Sequence, residues 1–105
     1  MSKMTAKRSN VRVVWDRPGI GTQMELWEVG GRYFITEIFC DGCAQTFTSD
    51  KEGRRLCSFS IVGHNTCNRE QALEKISKLG YYFERKERVE DLDGDIFHMI
   101  QMMAR

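Results

Sequence analysis

Gly30-Gly31, set between the apolar-rich runs "MELWEV" and "RYFITEIFC", constrains this chain more than any other feature. Both glycines tolerate positive φ, which a two-residue connection between antiparallel strands demands. The pair predicts a tight hairpin with Trp27 opposite Phe34 and Leu26 opposite Ile35. Opposed residues share a face and neighbours alternate, so both faces of this ribbon carry bulky apolar groups. One face is expected on the core. The other needs a cover, and a partner is one candidate for it.

The flanking segments extend the β reading. "VRVVW" (Val11 to Trp15) is β-branched and partly alternating, and "DRPGIG" (Asp16 to Gly21) ends it with turn residues. Gly19 and Gly21 alone are too little of a phosphate-binding fingerprint, so they read as loop. "AQTFTS" and "RRLCSFSIV" predict two more strands joined by the polar tip Asp50 to Gly53. Then the period changes. Asn68 is a good N-cap with Gln71 three residues on, and Ala72, Leu73, Ile76 and Leu79 form one apolar stripe. Gly80 reads as a stop, which predicts a helix over 69–79. "YYFERKERV" predicts an edge strand with a charged second half. "DLDGDIFHMIQMMAR" predicts a turn or cap at Asp93 to Asp95 and a terminal Met-rich helix. The sum is an α+β domain: a small antiparallel sheet of hairpins, one central helix and a short C-terminal helix. It occupies residues 11–105 after a flexible basic arm at 1–10.

At 105 residues and 12.3 kDa the chain fits one domain. A 41% hydrophobic content supplies a compact core, but a domain this small is marginally stable and gains much from a bound metal. Sixteen Lys and Arg against fifteen Asp and Glu leave +1, which argues against a strongly basic nucleic-acid binder. No secretory signal opens the sequence, and no run approaches the ~18 apolar residues of a membrane span. A cytoplasmic protein is expected. Its four cysteines then read as metal ligands or buried thiols before disulfides.

Cys40 and Cys43 enclose Asp41 and Gly42, a turn that can aim two sulfurs at one point. "HNTC" repeats the spacing with His64 and Cys67, leaving twenty residues between Cys43 and His64, within the range of about 15–20 for a two-pair zinc site. Cys67 also precedes the predicted helix, whose N-terminal partial charge favours a thiolate. A turn-borne pair, a hairpin and a second pair at a helix entry describe a treble-clef-like site holding structural Zn2+ through Cys40, Cys43, His64 and Cys67. Cys57, mid-strand and in phase with Phe59 and Ile61, is the rival to His64 as a ligand. It also reads as a plain buried thiol. Metal-free reduced thiols and redox chemistry are the other readings of the four cysteines.

"CDGC" followed by "REQALEKISKLGY" resembles small bacterial and phage zinc-ribbon proteins, in which a cysteine knuckle precedes an "REEAL"-type helix ending in Gly-aromatic. The match covers Cys40 to Cys43 and Arg69 to Tyr81; the second knuckle of that family, after the helix, has no counterpart here. The resemblance implies the first two ligands and a phage or mobile-element regulator in the host-cell cytoplasm. One concrete version is an inhibitor that contacts a host defence complex.

Other constellations carry less. "DLDGD" starts like a calcium loop, but counting from Asp91 the sixth and twelfth positions hold Ile96 and Met102 rather than Gly and Glu. Two histidines and no nucleophile motif give catalysis little footing. The expected function is therefore a non-catalytic, zinc-stabilised protein-binding module that offers Trp27, Phe34, Phe97, Met99, Met102 and Met103 to a partner. The C-terminal run also suits a homodimer contact, although core packing is its default. The competing expectation is a zinc-containing nucleic-acid binder using Lys7, Arg8, Arg12, Lys51, Arg54 and Arg55, whose binding must weaken with salt.

Overall fold

The computed structural model describes residues 11–19, 21–85 and 94–104, without the side chains of residues 63–66, 85 and 95. The basic arm with Lys7 and Arg8, and the acidic turn residues Asp91 and Asp93, lie outside the described residues. Strands β1 (Arg12–Arg17), β2 (Thr22–Val29), β3 (Arg32–Phe39), β4 (Cys43–Ser49) and β5 (Val62–Asn68) precede helices α1 (Arg69–Arg85) and α2 (Gly94–Met103). The strands form one antiparallel sheet in sequence order, so the fold is α+β.

The glycine pair turns the β2–β3 hairpin with φ of 56° and 77°, and Trp27 faces Phe34 while Leu26 faces Ile35, as the spacing predicts. Trp27, Val29 and Phe34 lie on the face that α1 and α2 cover, buried with Ala72, Leu73, Ile76, Leu79, Ile96 and Met99. Each Val, Leu, Ile, Phe or Met among them contributes about 1.5–3 kcal/mol by leaving water. Leu26, Ile35 and Phe47 fill the opposite face, where Val14, Trp15, Met24, Tyr33 and Cys57 pack on them. The Arg55 guanidinium caps Phe47 at 3.8 Å from the ring centroid. The chain covers its own second face.

A bulge makes that cover possible. Val13 pairs with Trp27, but Trp15 pairs with Leu26, leaving Val14 as an extra residue in β1. Simple alternation puts Val13 and Trp15 on one face; the inserted residue sends Trp15 to the other. There its indole crosses to the β4–β5 connection. A Cβ at Gly53, where φ is +89°, would stand 2.5 Å from Trp15 Cζ2. Only glycine suits that position, by backbone angle and by space.

The polar tip at 50–53 is a turn, held by the Asp50 carboxylate accepting from the Glu52 and Arg54 amides. These bonds, the one to Arg54 foremost, hold Asp50 below the usual carboxylate range. The strand expected over "RRLCSFSIV" is not continuous. Ser49 bridges Arg55 and the Leu56 amide donates to Thr48, but the chain then leaves the ladder and returns only at Val62. Ser60 fills the gap. Its hydroxyl accepts from the Thr46 amide at 3.1 Å and contacts the Thr46 and Val62 carbonyls. A side chain here replaces a backbone ladder partner.

The predicted helix start is a reciprocal cap: Asn68 Oδ1 accepts from the Gln71 amide at 2.8 Å, and Gln71 Oε1 from the Asn68 amide at 2.9 Å. Its end differs from expectation. α1 runs through Gly80 to Arg85, so residues 81–85 of the expected edge strand are helical. Gly80 is buried where the helix passes the hairpin turn: its carbonyl lies 3.7 Å from where a Cβ on Gly30 would stand. Tyr82 and Phe83 pack on the core beyond it, and that burial outweighs the roughly 1 kcal/mol that a mid-helix glycine costs. No helix among the described residues is long and apolar enough to cross a membrane.

Candidate functional site

The sheet gathers the cysteine pair and "HNTC" at the end where α1 begins. Cys40, Asp41 and Gly42 form the β3–β4 hairpin loop: the Gly42 amide donates to Phe39, and Gly42 takes φ of 92°. Asp41 Oδ1 accepts from the Cys43 amide at 2.9 Å. Cys40-Asp41-Gly42 is thus a three-residue hairpin loop, with Cys40 directly after β3 and Cys43 the first residue of β4. The Cys40 amide also donates to Gly21, tying this turn to the β1–β2 loop. Partial burial, then the neighbouring Asp41 carboxylate, pushes the Cys43 thiol up. That holds it in the neutral form, which is the poorer ligand and the poorer nucleophile.

β5 meets this turn through a second irregularity. Gln45 faces Gly63 and Cys43 faces Asn68, so two steps along β4 correspond to five along β5. "HNTC" occupies that excursion, inside the strand rather than in a loop before the helix. Cys43 shares its face with Asn68, so neighbouring Cys67 turns the other way. It sits 6% exposed in the core that also holds Trp27 and Ala72. Cys40 and Cys43 lie at the hairpin turn, one exposed and the other half-buried. Cys57 packs with the opposite cluster, accepting from Thr48 Oγ1 and donating to the Phe59 carbonyl, both at 3.2 Å. The imidazole of His64 lies outside the described side chains. Among the described residues, no three of His, Cys, Asp or Glu converge closely enough to hold a metal.

Of the residues expected to meet a partner, Trp27, Phe34 and Met99 are enclosed in the core. Bulk and β pairing mark a residue as apolar; they do not say which side of the sheet the helices take. Phe97 is exposed, and Met102 and Met103 are half-buried. The basic set is partly committed elsewhere. Arg12 pairs with Glu28 at 2.6 Å, and Arg55 pairs with Glu37 while lying on Phe47. Lys51 and Arg54 are exposed on the β4–β5 turn.

A different site emerges at the opposite end of the sheet. A cleft of about 200 Å³ lies between the β2–β3 turn, the end of β4 and the last turn of α2. Gly31, Arg32, Tyr33, Phe34, Thr48, Ser49, Leu56 and Met103 line it. Leu56 is the most exposed large apolar side chain among the described residues, at 66%. The sequence holds one hint of it: Leu56 is out of phase with Cys57, Phe59 and Ile61, directly after two arginines. Arg32 and Tyr33 give no such signal, because the cleft exists only once α2 is docked.

A buried ionic anchor was equally silent in the sequence. Glu25, 4% exposed on β2, accepts from Trp27 Nε1 at 2.8 Å and from Arg69 Nε at 2.9 Å. It ties the first residue of α1 to the sheet across forty-four positions. No family model, curated protein or solved structure matches the chain.

Proposed function

We propose that this protein is a non-catalytic protein-binding module whose contact surface centres on Leu56 and the C-terminal helix. The supporting observation is the meeting of Leu56 with Met103 around one open cleft, while most other bulky apolar side chains among the described residues are enclosed. A lone exposed leucine means little; one that walls an apolar cleft marks an interaction surface. The carboxylates already holding Arg12 and Arg55 weigh against the nucleic-acid reading. Following the resemblance to small phage zinc proteins, a host defence complex is the first partner to try.

Structural zinc belongs to the same proposal as a brace at the far end of the sheet. It would draw on Cys40 and Cys43, with His64 arriving from the β5 excursion. Zinc content that survives Cys57→Ala and disappears with Cys43→Ala supports that brace. A metal-free native protein removes it and leaves the binding surface untouched.

Capture from host lysate tests the module itself. The tagged protein should retain a stoichiometric partner that Leu56→Asp loses, with an unchanged circular dichroism spectrum. A monodisperse monomer that captures nothing, from lysates with and without the defence complex, counts decisively against this function.

A further inference from the structure

The cleft also carries a cation with a specific geometry. Arg32 is exposed at its wall, and its guanidinium lies over the Phe83 ring at 4.2 Å from the centroid. A guanidinium attracted to an aromatic face through its charge leaves N–H donors for a second contact. The ring contact restrains the side chain, so less side-chain entropy is lost on binding than for a freely rotating arginine. Among the described residues Arg32 has no carboxylate in ion-pair contact, unlike Arg12, Arg55 and Arg69. Beside it the accessible apolar walls are exposed Leu56 and half-buried Met103.

We infer that the cleft recognises a partner segment in which a leucine-sized apolar side chain is flanked by a carboxylate. The apolar group enters between Leu56 and Met103, and the carboxylate meets the free edge of the Arg32 guanidinium. Carboxylate and guanidinium match as two parallel hydrogen bonds, so charge complementarity selects an acidic segment over a basic one. The cleft is open, not an enclosed cavity, so a chain can pass through it. The carboxylate is accordingly an Asp or Glu side chain within the segment. This inference rests on the protein-binding reading and adds the chemistry of the partner.

Three blocked tripeptides test it: acetyl-Glu-Leu-Glu-amide, acetyl-Lys-Leu-Lys-amide and acetyl-Glu-Gly-Glu-amide, each titrated into 15N-labelled protein. Glu-Leu-Glu should shift the amides of Gly31, Arg32, Ser49 and Leu56 and bind about tenfold or more tighter than either control, as a charge-assisted pair plus apolar burial predicts. Its advantage over Lys-Leu-Lys should vanish in Arg32→Gln, and its advantage over Glu-Gly-Glu in Leu56→Gln. Equal binding of the three peptides, shifts elsewhere or no shifts overturn the inference. If Arg32→Gln disturbs the fold, Leu56→Gln, on an exposed connection, still decides. Should the peptides fail while lysate capture persists and is lost with Leu56→Asp, the module reading stands and the acidic segment alone falls. Failure of capture as well removes both.

Discussion

Ser60 shows how much one side chain holds at the residue scale. β4 reaches Thr46 with its amide pointing at a gap in the next strand, and the Ser60 hydroxyl closes that gap. Ser60→Ala leaves the buried Thr46 N–H without that acceptor and should cost about 1–3 kcal/mol. Urea unfolding of Ser60→Ala beside the exposed control Ser58→Ala measures the difference. The cysteines differ as sharply in reactivity. Cys40 is exposed, Cys43 is half-buried beside Asp41, and Cys67 is buried. Alkylation at neutral pH should mark Cys40 first, Cys43 slowly and Cys67 only on unfolding. Asp41→Asn removes a charge that raises the Cys43 pKa, so it should speed the second step, read by mass spectrometry. The spacing groups Cys40, Cys43 and Cys67 as ligands and sets Cys57 apart, but it carries no information about which side of a strand each one occupies.

At the scale of elements, the start of α1 was legible and its end was not. Asn68 and Gln71 complete each other's hydrogen bonds over three residues, so nothing distant is needed to form the cap. Asn68→Ala should therefore cost about 1 kcal/mol, within the usual range for an N-cap. Thermal melts of Asn68→Ala and Asn68→Asp check it, the aspartate variant retaining most of the stability. The helix end depends on distant contacts: Gly80 stays helical because Phe83 and Tyr82 reach the core beyond it. The same division holds in the sheet. The Gly30-Gly31 hairpin and its register follow from local turn chemistry. The bulge at Val14 and the break between Leu56 and Val62 serve contacts made across the sheet.

For the whole molecule, α2 decides both stability and site. Ile96 and Met99 seal the helix-covered core, and Met103 from the same helix forms a wall of the cleft. Met99→Ala should destabilise by about 2–5 kcal/mol, as a large-to-small change at a fully buried position does. A single cooperative melt shifted downward shows that α2 unfolds with the sheet; a separate early transition shows that it does not. By itself the sequence determined the hairpin, its register, the helix cap, the apolar stripe of α1 and the α+β class. Each of these rests on residues a few positions apart, whose turn chemistry and periodicity act before any long-range contact exists. Only the tertiary structure decided which sheet face the helices take and that Cys67 lies in the core. It also decided that Leu56, Arg32 and Met103 share one cleft. Those outcomes depend on groups brought together from distant parts of the chain, and neither spacing nor composition encodes that meeting.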